Sequence, residues 1–119
     1  MAAPPVDQLP LTVPVFQILL SLVDEDLHGY AIIQDIDRRT AGEVRLTAST
    51  LYGALARMLD GGLVSELGIE HGHERRRRYR ISKRGRALLR DEAQRLARAA
   101  AWARAKNVLT RPATTRGSY

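Results

Sequence analysis

Apolar residues recur at helical spacing along most of the chain. The first apolar run, residues 13–23, is hydrophobic on nearly every side, which is typical of a buried helix. Helical spacing also marks residues 28–40 and 47–60, and an alanine-rich stretch after Ser82 favours a helix that runs to Leu109. The pattern therefore predicts four helices, the last about 42 Å long at 1.5 Å per residue.

The predicted third helix has two unlike faces. Thr47 or Ser49 is positioned to cap its first turn, and Gly61-Gly62 ends it. Large apolar side chains fall on one face: Leu51, Leu55, Met58 and Leu59. Small or polar residues fall on the other: Ser49, Thr50, Gly53, Ala54 and Arg57. We expect the first face to pack and the second to stay free for a partner.

Three stretches have the two-residue alternation of β-strands. Residues 43–46 predict a short edge strand, and residues 63–68 and 76–82 predict a hairpin around a glycine-containing turn. Tyr79 and Ile81 would mark the inward and outward sides of the returning strand. A helix followed by a strand and an arginine-bearing returning strand is typical of a winged helix-turn-helix.

These elements predict an α+β fold, mostly helical, with a winged helix-turn-helix and a long C-terminal helix. The winged-helix domain covers residues 11–82, and the C-terminal helix covers residues 83–109. A proline-rich, flexible arm precedes them over residues 1–10, and a flexible tail follows over residues 110–119.

The composition narrows the class of protein. With 119 residues, of which 45% are apolar, the chain fits one domain with a modest core. It contains no cysteine, which excludes disulfides and thiolate metal ligands. The run over residues 13–23 is too short to span a bilayer, and the N-terminus lacks a positively charged leader. We therefore expect a soluble, cytoplasmic protein without a membrane partner.

The net charge of +6 is distributed unevenly along the chain. Residues 1–74 hold 4 Lys/Arg against 11 Asp/Glu, whereas residues 75–119 hold 15 against 2. Such a basic second half points to a polyanionic partner. A solvated basic helix is the alternative that charge alone leaves open.

The candidate DNA contacts follow from this arrangement. Small polar residues at the start of the third helix would let its backbone approach the major groove, with Arg57 reaching a base edge or phosphate. Arginines 75–78 would form the wing and hold the minor groove or the phosphates. An ordinary surface helix and a solvated charge run are the respective alternatives.

Other chemistry finds little support in the sequence. His71, His73 and Glu74 have metal-ligating side chains, but an exposed turn does not fix their geometry, so no metal or cofactor is expected. His28 more plausibly starts the second helix or contacts phosphate than acts in catalysis. No nucleophile with a paired base can be assembled, and the chain is not expected to be an enzyme.

Four motifs occur in order: HGY at 28–30, STLYGALARML at 49–59, GLV at 62–64 and RRYRISKRGR at 77–86. Together they closely resemble the PadR family of bacterial transcriptional regulators, over roughly residues 12–105. The resemblance implies a winged-helix domain and a C-terminal helix that dimerises. It also implies a homodimer that binds double-stranded DNA at an inverted-repeat operator, usually as a repressor. Because one helix follows the wing, the chain looks like the short-tailed branch.

Carried over by position, the resemblance assigns DNA contacts to the second helix, the third helix and the wing. They are Tyr30, Thr50, Tyr52, Gly53 and Arg57, with wing contacts from Arg75, Arg76, Arg77 and Arg78. His28, Thr47 and Ser49 complete the predicted set as phosphate-contacting or capping residues. Two departures, Ala48-Ser49 where many members have Pro-Gly and a single Tyr79 where two aromatics are common, leave the operator sequence open.

Trp102 is the only tryptophan and lies on the predicted dimerisation helix. Some short-tailed relatives sense planar aromatic compounds between such helices, so a small aromatic effector could stack on Trp102. Packing between subunits or against the first helix is the favoured alternative. The competing functional hypothesis is a winged-helix adaptor whose basic half docks on an acidic protein or a membrane surface without reading DNA sequence.

Overall fold

A computed structural model describes residues 5–69 and 77–109. Four helices and three short strands follow one another along the chain. They are α1 (Val13–Leu22), β1 (Leu27–His28), α2 (Gly29–Arg39), α3 (Ala48–Asp60), β2 (Val64–Ile69), β3 (Arg77–Ile81) and α4 (Lys83–Ala105). The predicted class, mostly helical α+β, is confirmed.

Side-chain caps start three of the helices. The hydroxyls of Thr12, Thr47 and Ser82 accept hydrogen bonds from the backbone N–H groups of Val15, Thr50 and Gly85, at 3.4, 3.1 and 2.9 Å. These bonds satisfy N–H groups that have no partner within the first helical turn. Of the two residues predicted to cap α3, Thr47 is the one that does so.

One apolar core joins α1, α2 and α3 to the sheet. Its fully buried side chains come from each of these helices: Ile18, Leu19, Leu22, Ile32, Ile36, Leu51, Leu55 and Met58. From the sheet and its flanks come Leu63, Val64, Tyr79 and Ile81, and Leu89 joins from α4. The core therefore fixes α3 against the other two helices and against the base of the wing.

The three strands form an antiparallel sheet in the order β1-β3-β2. Leu27 pairs with Tyr79, and Glu66 pairs with the same Tyr79 from the other side. The edge strand predicted over residues 43–46 is wrong, because the third strand is β1 instead. A two-residue strand is too short to produce the alternation on which the prediction depended.

Residues 43–46 form a loop that folds back onto the end of α2. Ala41 and Gly42 adopt positive φ angles of 53° and 82°, and the Thr40 hydroxyl accepts a hydrogen bond from the Val44 N–H at 3.0 Å. Val44 and Leu46 still pack against the core, which explains their alternation with polar residues.

Two predictions for β3 and α4 need correction. Tyr79 and Ile81 both face the core, with 4% and 6% exposure, because residues two apart in a strand point to the same side. Helix α4 ends at Ala105 rather than Leu109. There Asn107 adopts a φ of 61°, and the Val108 N–H donates to the Ala103 carbonyl at 3.0 Å, which closes the helix in a Schellman motif.

Residues 5–10, the part of the predicted arm that the structure describes, contact the folded body. Val6 packs against the core, and Asp7 pairs with Arg84 at the start of α4. The backbone N–H of Leu11 donates to the Glu92 carboxylate at 2.9 Å. The chain before α1 is therefore attached to α4.

Candidate nucleic-acid interface

Helix α3 presents the face that the sequence predicts to be free. Leu51, Leu55 and Met58 are buried, whereas Ser49, Thr50 and Arg57 are exposed. Thr47 also donates its hydroxyl hydrogen to the Thr50 hydroxyl at 3.1 Å, so both side chains stand at the start of the helix. This face offers hydroxyls at one end and a guanidinium two turns later.

Gly53 has no side chain, so the middle of that face does not project from the helix. A Cβ on Gly53 would meet only Arg57 Nη1, at 3.8 Å, so the Arg57 side chain lies back over the glycine. With the residues that the structure describes, Arg57 makes no hydrogen bond or ion pair. Its guanidinium can therefore bind a partner without first breaking a contact.

Ala54 does not belong to the free face, although the helical wheel placed it there. Its side chain is 0% exposed within the core. Because α3 packs against α1, α2 and β2, the buried arc of the helix is wider than the stripe of large apolar residues. The free face is therefore the narrower stripe of Ser49, Thr50, Gly53 and Arg57.

A cleft of about 190 Å³ lies between Tyr52 of α3, the start of α2 and the base of the wing. Its walls are His28, Gly29, Tyr30, Ala31, Gln34, Tyr52 and Arg77. Tyr30 and Tyr52 are large but 67% and 49% exposed. The structure thus brings together the predicted contacts of three separate motifs.

Gly29 allows Tyr52 to occupy its position beside the cleft. A Cβ on Gly29 would lie 2.8 Å from Tyr52 Cζ and closer still to the hydroxyl oxygen. Gln34, by contrast, was not predicted from the sequence. Its position one turn after Tyr30 on α2 is the signal that could have indicated it.

The wing is described only in part. Arg75 and Arg76 lie outside the described residues, as do His71, His73 and Glu74. Arg77 Nη1 donates to both carboxylate oxygens of Glu66, at 3.2 and 3.1 Å. Arg78 lies next to it and faces the other side of the sheet, opposite His28 in the register.

An ion pair and a buried phenol also lie in the sheet or beside it. Arg80 donates two hydrogen bonds to Asp26, at 3.2 and 2.8 Å, and these bonds hold the pKa of the Asp26 carboxyl below its usual range. Burial, with the neighbouring Glu66 carboxylate, raises the pKa of the Tyr79 phenol. Of the arginines in β3, Arg77 and Arg80 are thus paired with acids, which sequence alone did not predict.

Helix α4 carries apolar side chains that the described chain does not cover. Leu96 and Trp102 are 39% and 68% exposed, and Val108, just beyond the end of α4, is 73% exposed. Beside them, α1 and α4 border a groove of about 300 Å³, with walls formed by Leu20, Val23, Arg86, Leu89, Arg90 and Ala93. We call these residues together the α1–α4 apolar surface.

Two other kinds of site find no support in the described part of the chain. Residues 5–69 and 77–109 contain no group of three His, Asp or Glu side chains that could hold a metal ion. Over the same residues, each helix is too short or too polar to cross a membrane.

Comparison with known proteins identifies the family. Residues 18–91 match the transcriptional regulator PadR-like family. A comparison with curated proteins gives no match.

Solved structures share the fold. A transcriptional regulator from Clostridium thermocellum is 23% identical with a TM-score of 0.68, over 82% of this chain and 90% of that one. A PadR family transcription regulator from Clostridium difficile is 23% identical with a TM-score of 0.67, over 78% and 96%. Bacillus subtilis PadR, solved in complex with operator DNA, is 19% identical with a TM-score of 0.62, over 92% and 55%.

The family match covers more than half of the chain, including α2, α3, the described part of the wing and the start of α4. Its members are transcriptional regulators, which agrees with the prediction that the chain is not an enzyme. The chain belongs to the PadR-like family of transcriptional regulators.

Proposed function

We propose that this regulator represses transcription by binding an inverted-repeat operator as a homodimer. The observation that carries the proposal is the free face of α3, whose Arg57 makes no ion pair among the described residues, together with a cleft that exposes two tyrosines. The face is long enough to follow base edges in a major groove, and Gly53 lets its backbone come close to them. Bacillus subtilis PadR, a structural neighbour, was solved with operator DNA.

Each predicted contact has a role in this proposal. Arg57 reads a base edge, while Ser49, Thr50 and Gly53 bring α3 into the groove. Tyr30, Tyr52 and His28 contact the sugar-phosphate backbone beside the cleft. The wing arginines, including Arg75 and Arg76 outside the described residues, hold the adjacent phosphates.

The dimer would form through the fourth helix, over the predicted segment 83–109. The exposed apolar side chains of the α1–α4 apolar surface support this, because packing against a second copy would remove them from water. A two-fold pair would present two α3 helices to two half-sites, so the operator would be roughly palindromic. The winged-helix domain, residues 11–82, of each subunit would then contact one half-site.

A small aromatic effector is the proposed signal for release, with Trp102 as its stacking partner. The support is the 68% exposure of the indole at the edge of the apolar surface. Titration of planar aromatic cations against tryptophan fluorescence tests the idea, because Trp102 is the sole tryptophan. Quenching that saturates and releases DNA is expected. A flat response over a broad panel would assign Trp102 to packing alone.

The functional test compares binding to genomic fragments in a mobility-shift assay at rising salt. We expect a few fragments to bind at salt concentrations that abolish binding to the rest, because base contacts add to the phosphate contacts common to all DNA. Equal, diffuse binding to all fragments would favour the adaptor instead. The adaptor has one supporting observation of its own, the excess of basic residues after residue 74.

A further inference from the structure

Glu66 is an acid on a surface that is otherwise suited to bind an anion. It pairs with Tyr79 in the sheet, and directly opposite residues point to the same side. Because Tyr79 is buried in the core, the Glu66 side chain lies on the core-facing side of the sheet. Its side chain is 32% exposed.

The Glu66 carboxylate is bound to the arginine that lines the cleft. Arg77 Nη1 lies 3.2 and 3.1 Å from the two Glu66 oxygens, and the Arg77 side chain is 54% exposed. Arg77 shares the cleft with Tyr30 and Tyr52. The pair therefore has no net charge at the position where the proposed function brings a phosphate.

This pairing changes how Arg77 contributes to DNA binding. Affinity for random DNA depends on the number of phosphates that basic side chains neutralise, with release of counterions. A phosphate that approaches Arg77 also approaches the Glu66 carboxylate, and the repulsion between the two anions offsets the attraction. On random DNA the protein can shift until each free guanidinium meets a phosphate, whereas base contacts from α3 fix its register on the operator, so the charge of this pair affects random binding more.

We propose that Glu66 is a specificity-determining residue that acts through Arg77: it holds the guanidinium at the cleft and cancels its charge, so that binding to random DNA is weakened more than binding to the operator. The proposal rests on the proposed function, since it assumes that the cleft side of the wing faces DNA. Glu66 itself is a positioning residue.

The matched control lies on the opposite side of the same sheet. Asp26 binds Arg80 with two hydrogen bonds, and Arg80 alternates with the core-facing Tyr79 and Ile81. Asp26→Asn therefore removes one negative charge and releases one arginine of β3, away from the cleft. A comparison with Glu66→Gln separates the effect of position from that of total charge.

The experiment measures affinity for a random duplex and for a selected genomic fragment as a function of salt. For Glu66→Gln we expect the slope of log K against log salt on random DNA to steepen by about one, since one more phosphate contact is gained. The ratio of fragment affinity to random-duplex affinity should fall severalfold. Glu66→Ala should behave alike, Glu66→Asp should restore the wild-type slope, and Asp26→Asn should change both quantities less.

The double variant Glu66→Gln with Arg77→Gln shows whether Glu66 acts through Arg77. Its salt slope should return to that of the wild type, because the released guanidinium is then absent. An unchanged slope in Glu66→Gln, an equal effect of Asp26→Asn, or no return in the double variant would overturn the proposal. Circular dichroism melting of each variant checks that the hairpin is folded.

The same data separate this proposal from the proposed function. Wild-type protein that binds random DNA but prefers no fragment would refute operator reading, while the slopes of the Glu66 variants would still test charge cancellation. A chain that binds no DNA would overturn both.

Discussion

Arg57 is the side chain on which the proposed sequence reading by α3 most depends. It is exposed, it lies over Gly53, and it makes no hydrogen bond or ion pair with the residues that the structure describes. A guanidinium in this state loses no intramolecular contact when it binds a guanine edge in the bidentate geometry that arginine favours.

Arg57→Ala should weaken binding to a selected fragment by about 1–3 kcal/mol and leave random-duplex binding nearly unchanged. Fluorescence anisotropy titrations on the two duplexes measure both affinities. Arg98→Ala, which removes an exposed arginine from α4, is the control for the change in charge. An equal loss on both duplexes would show that Arg57 contacts phosphate and not bases.

At this scale the sequence predicted which side chains are exposed better than it predicted their neighbours. Thr50, Arg57, Tyr30 and Tyr52 are all exposed, and the two tyrosines share one cleft. Ala54 is buried because α3 packs against α1, α2 and β2, and a helical wheel contains no information about these neighbours. The pairing of Arg77 with Glu66 depends on the register of the hairpin, which a charge count along the chain does not contain.

Helix α4 begins against the backbone that precedes the wing. Ser82 donates its hydroxyl hydrogen to the Gly62 carbonyl at 2.6 Å and accepts from the Gly85 N–H. A Cβ on Gly85 would lie 3.0 Å from Ile81 Cγ1 and 3.2 Å from the Leu63 carbonyl carbon. The close approach of α4 to β2 and β3 therefore requires glycine at this position.

Gly85→Ala should lower the free energy of unfolding by about 1–3 kcal/mol, since backbone atoms would have to move. Urea unfolding followed by circular dichroism measures the change. Gly53→Ala is the matched control, because its Cβ would meet only a flexible guanidinium at ordinary contact distance. Within a helix that control should keep or raise stability by about 0.5–1 kcal/mol. Equal effects at the two glycines would contradict the packing described.

A buried carboxylate attaches α4 to the chain before α1. Glu92 is 2% exposed, accepts a hydrogen bond from the Leu11 N–H, and is bound by the Arg95 guanidinium. The hydrogen bond from Arg95, with that from Leu11, holds the pKa of Glu92 below its ordinary value of 4.5. The charged form is therefore favoured in the folded state.

Glu92→Gln should lower the free energy of unfolding at neutral pH by about 1–3 kcal/mol, because a charged hydrogen-bond partner of Arg95 is lost. Since the folded-state pKa is lowered, the stabilisation is present above pH 4.5 and is lost as pH falls through the folded value. The gap between wild type and variant should therefore narrow in acid. Asp91→Asn, at an exposed acid, is the control, and a gap that persists at pH 2 would refute the assignment.

Elements with caps and long periodic patterns were the ones that the sequence predicted well. All four helices begin within a residue or two of the predicted positions, since Thr12, Thr47 and Ser82 are visible as capping residues. Strand β1 was missed because two residues carry no period. The end of α4 was missed because the apolar residues continue to Leu109. The helix ends earlier, where Asn107 adopts a left-handed conformation.

The whole molecule joins an acidic first half, which supplies most of the core, to a basic second half. Among residues 5–69 and 77–109, several arginines are neutralised locally, by Glu66, Asp26, Asp35 and Asp37. The uneven distribution of charge along the sequence therefore overstates the electrostatic field at the protein surface. Charge alone could not have distinguished a DNA-binding face from a solvated helix. The exposed position of Arg57 favours a DNA-binding face.

Assembly of two chains should depend on the α1–α4 apolar surface. Leu96→Glu places a charge on this surface and should convert the proposed dimer into monomers, with weaker binding to the selected fragment. Sedimentation velocity measures the assembly. Gln94→Glu puts the same side chain on a different face of α4, where it should have no such effect. A wild type that sediments as a monomer at working concentrations would refute the dimer.

The central claim is that two α3 helices enter successive major grooves of one DNA site. Protection of guanine N7 atoms from dimethyl sulfate on a selected fragment tests it most directly, because this atom lies on the floor of the major groove. We predict two protected clusters about 10 base pairs apart, both lost in Arg57→Ala. Binding without N7 protection, or protection that Arg57→Ala leaves intact, would contradict the account.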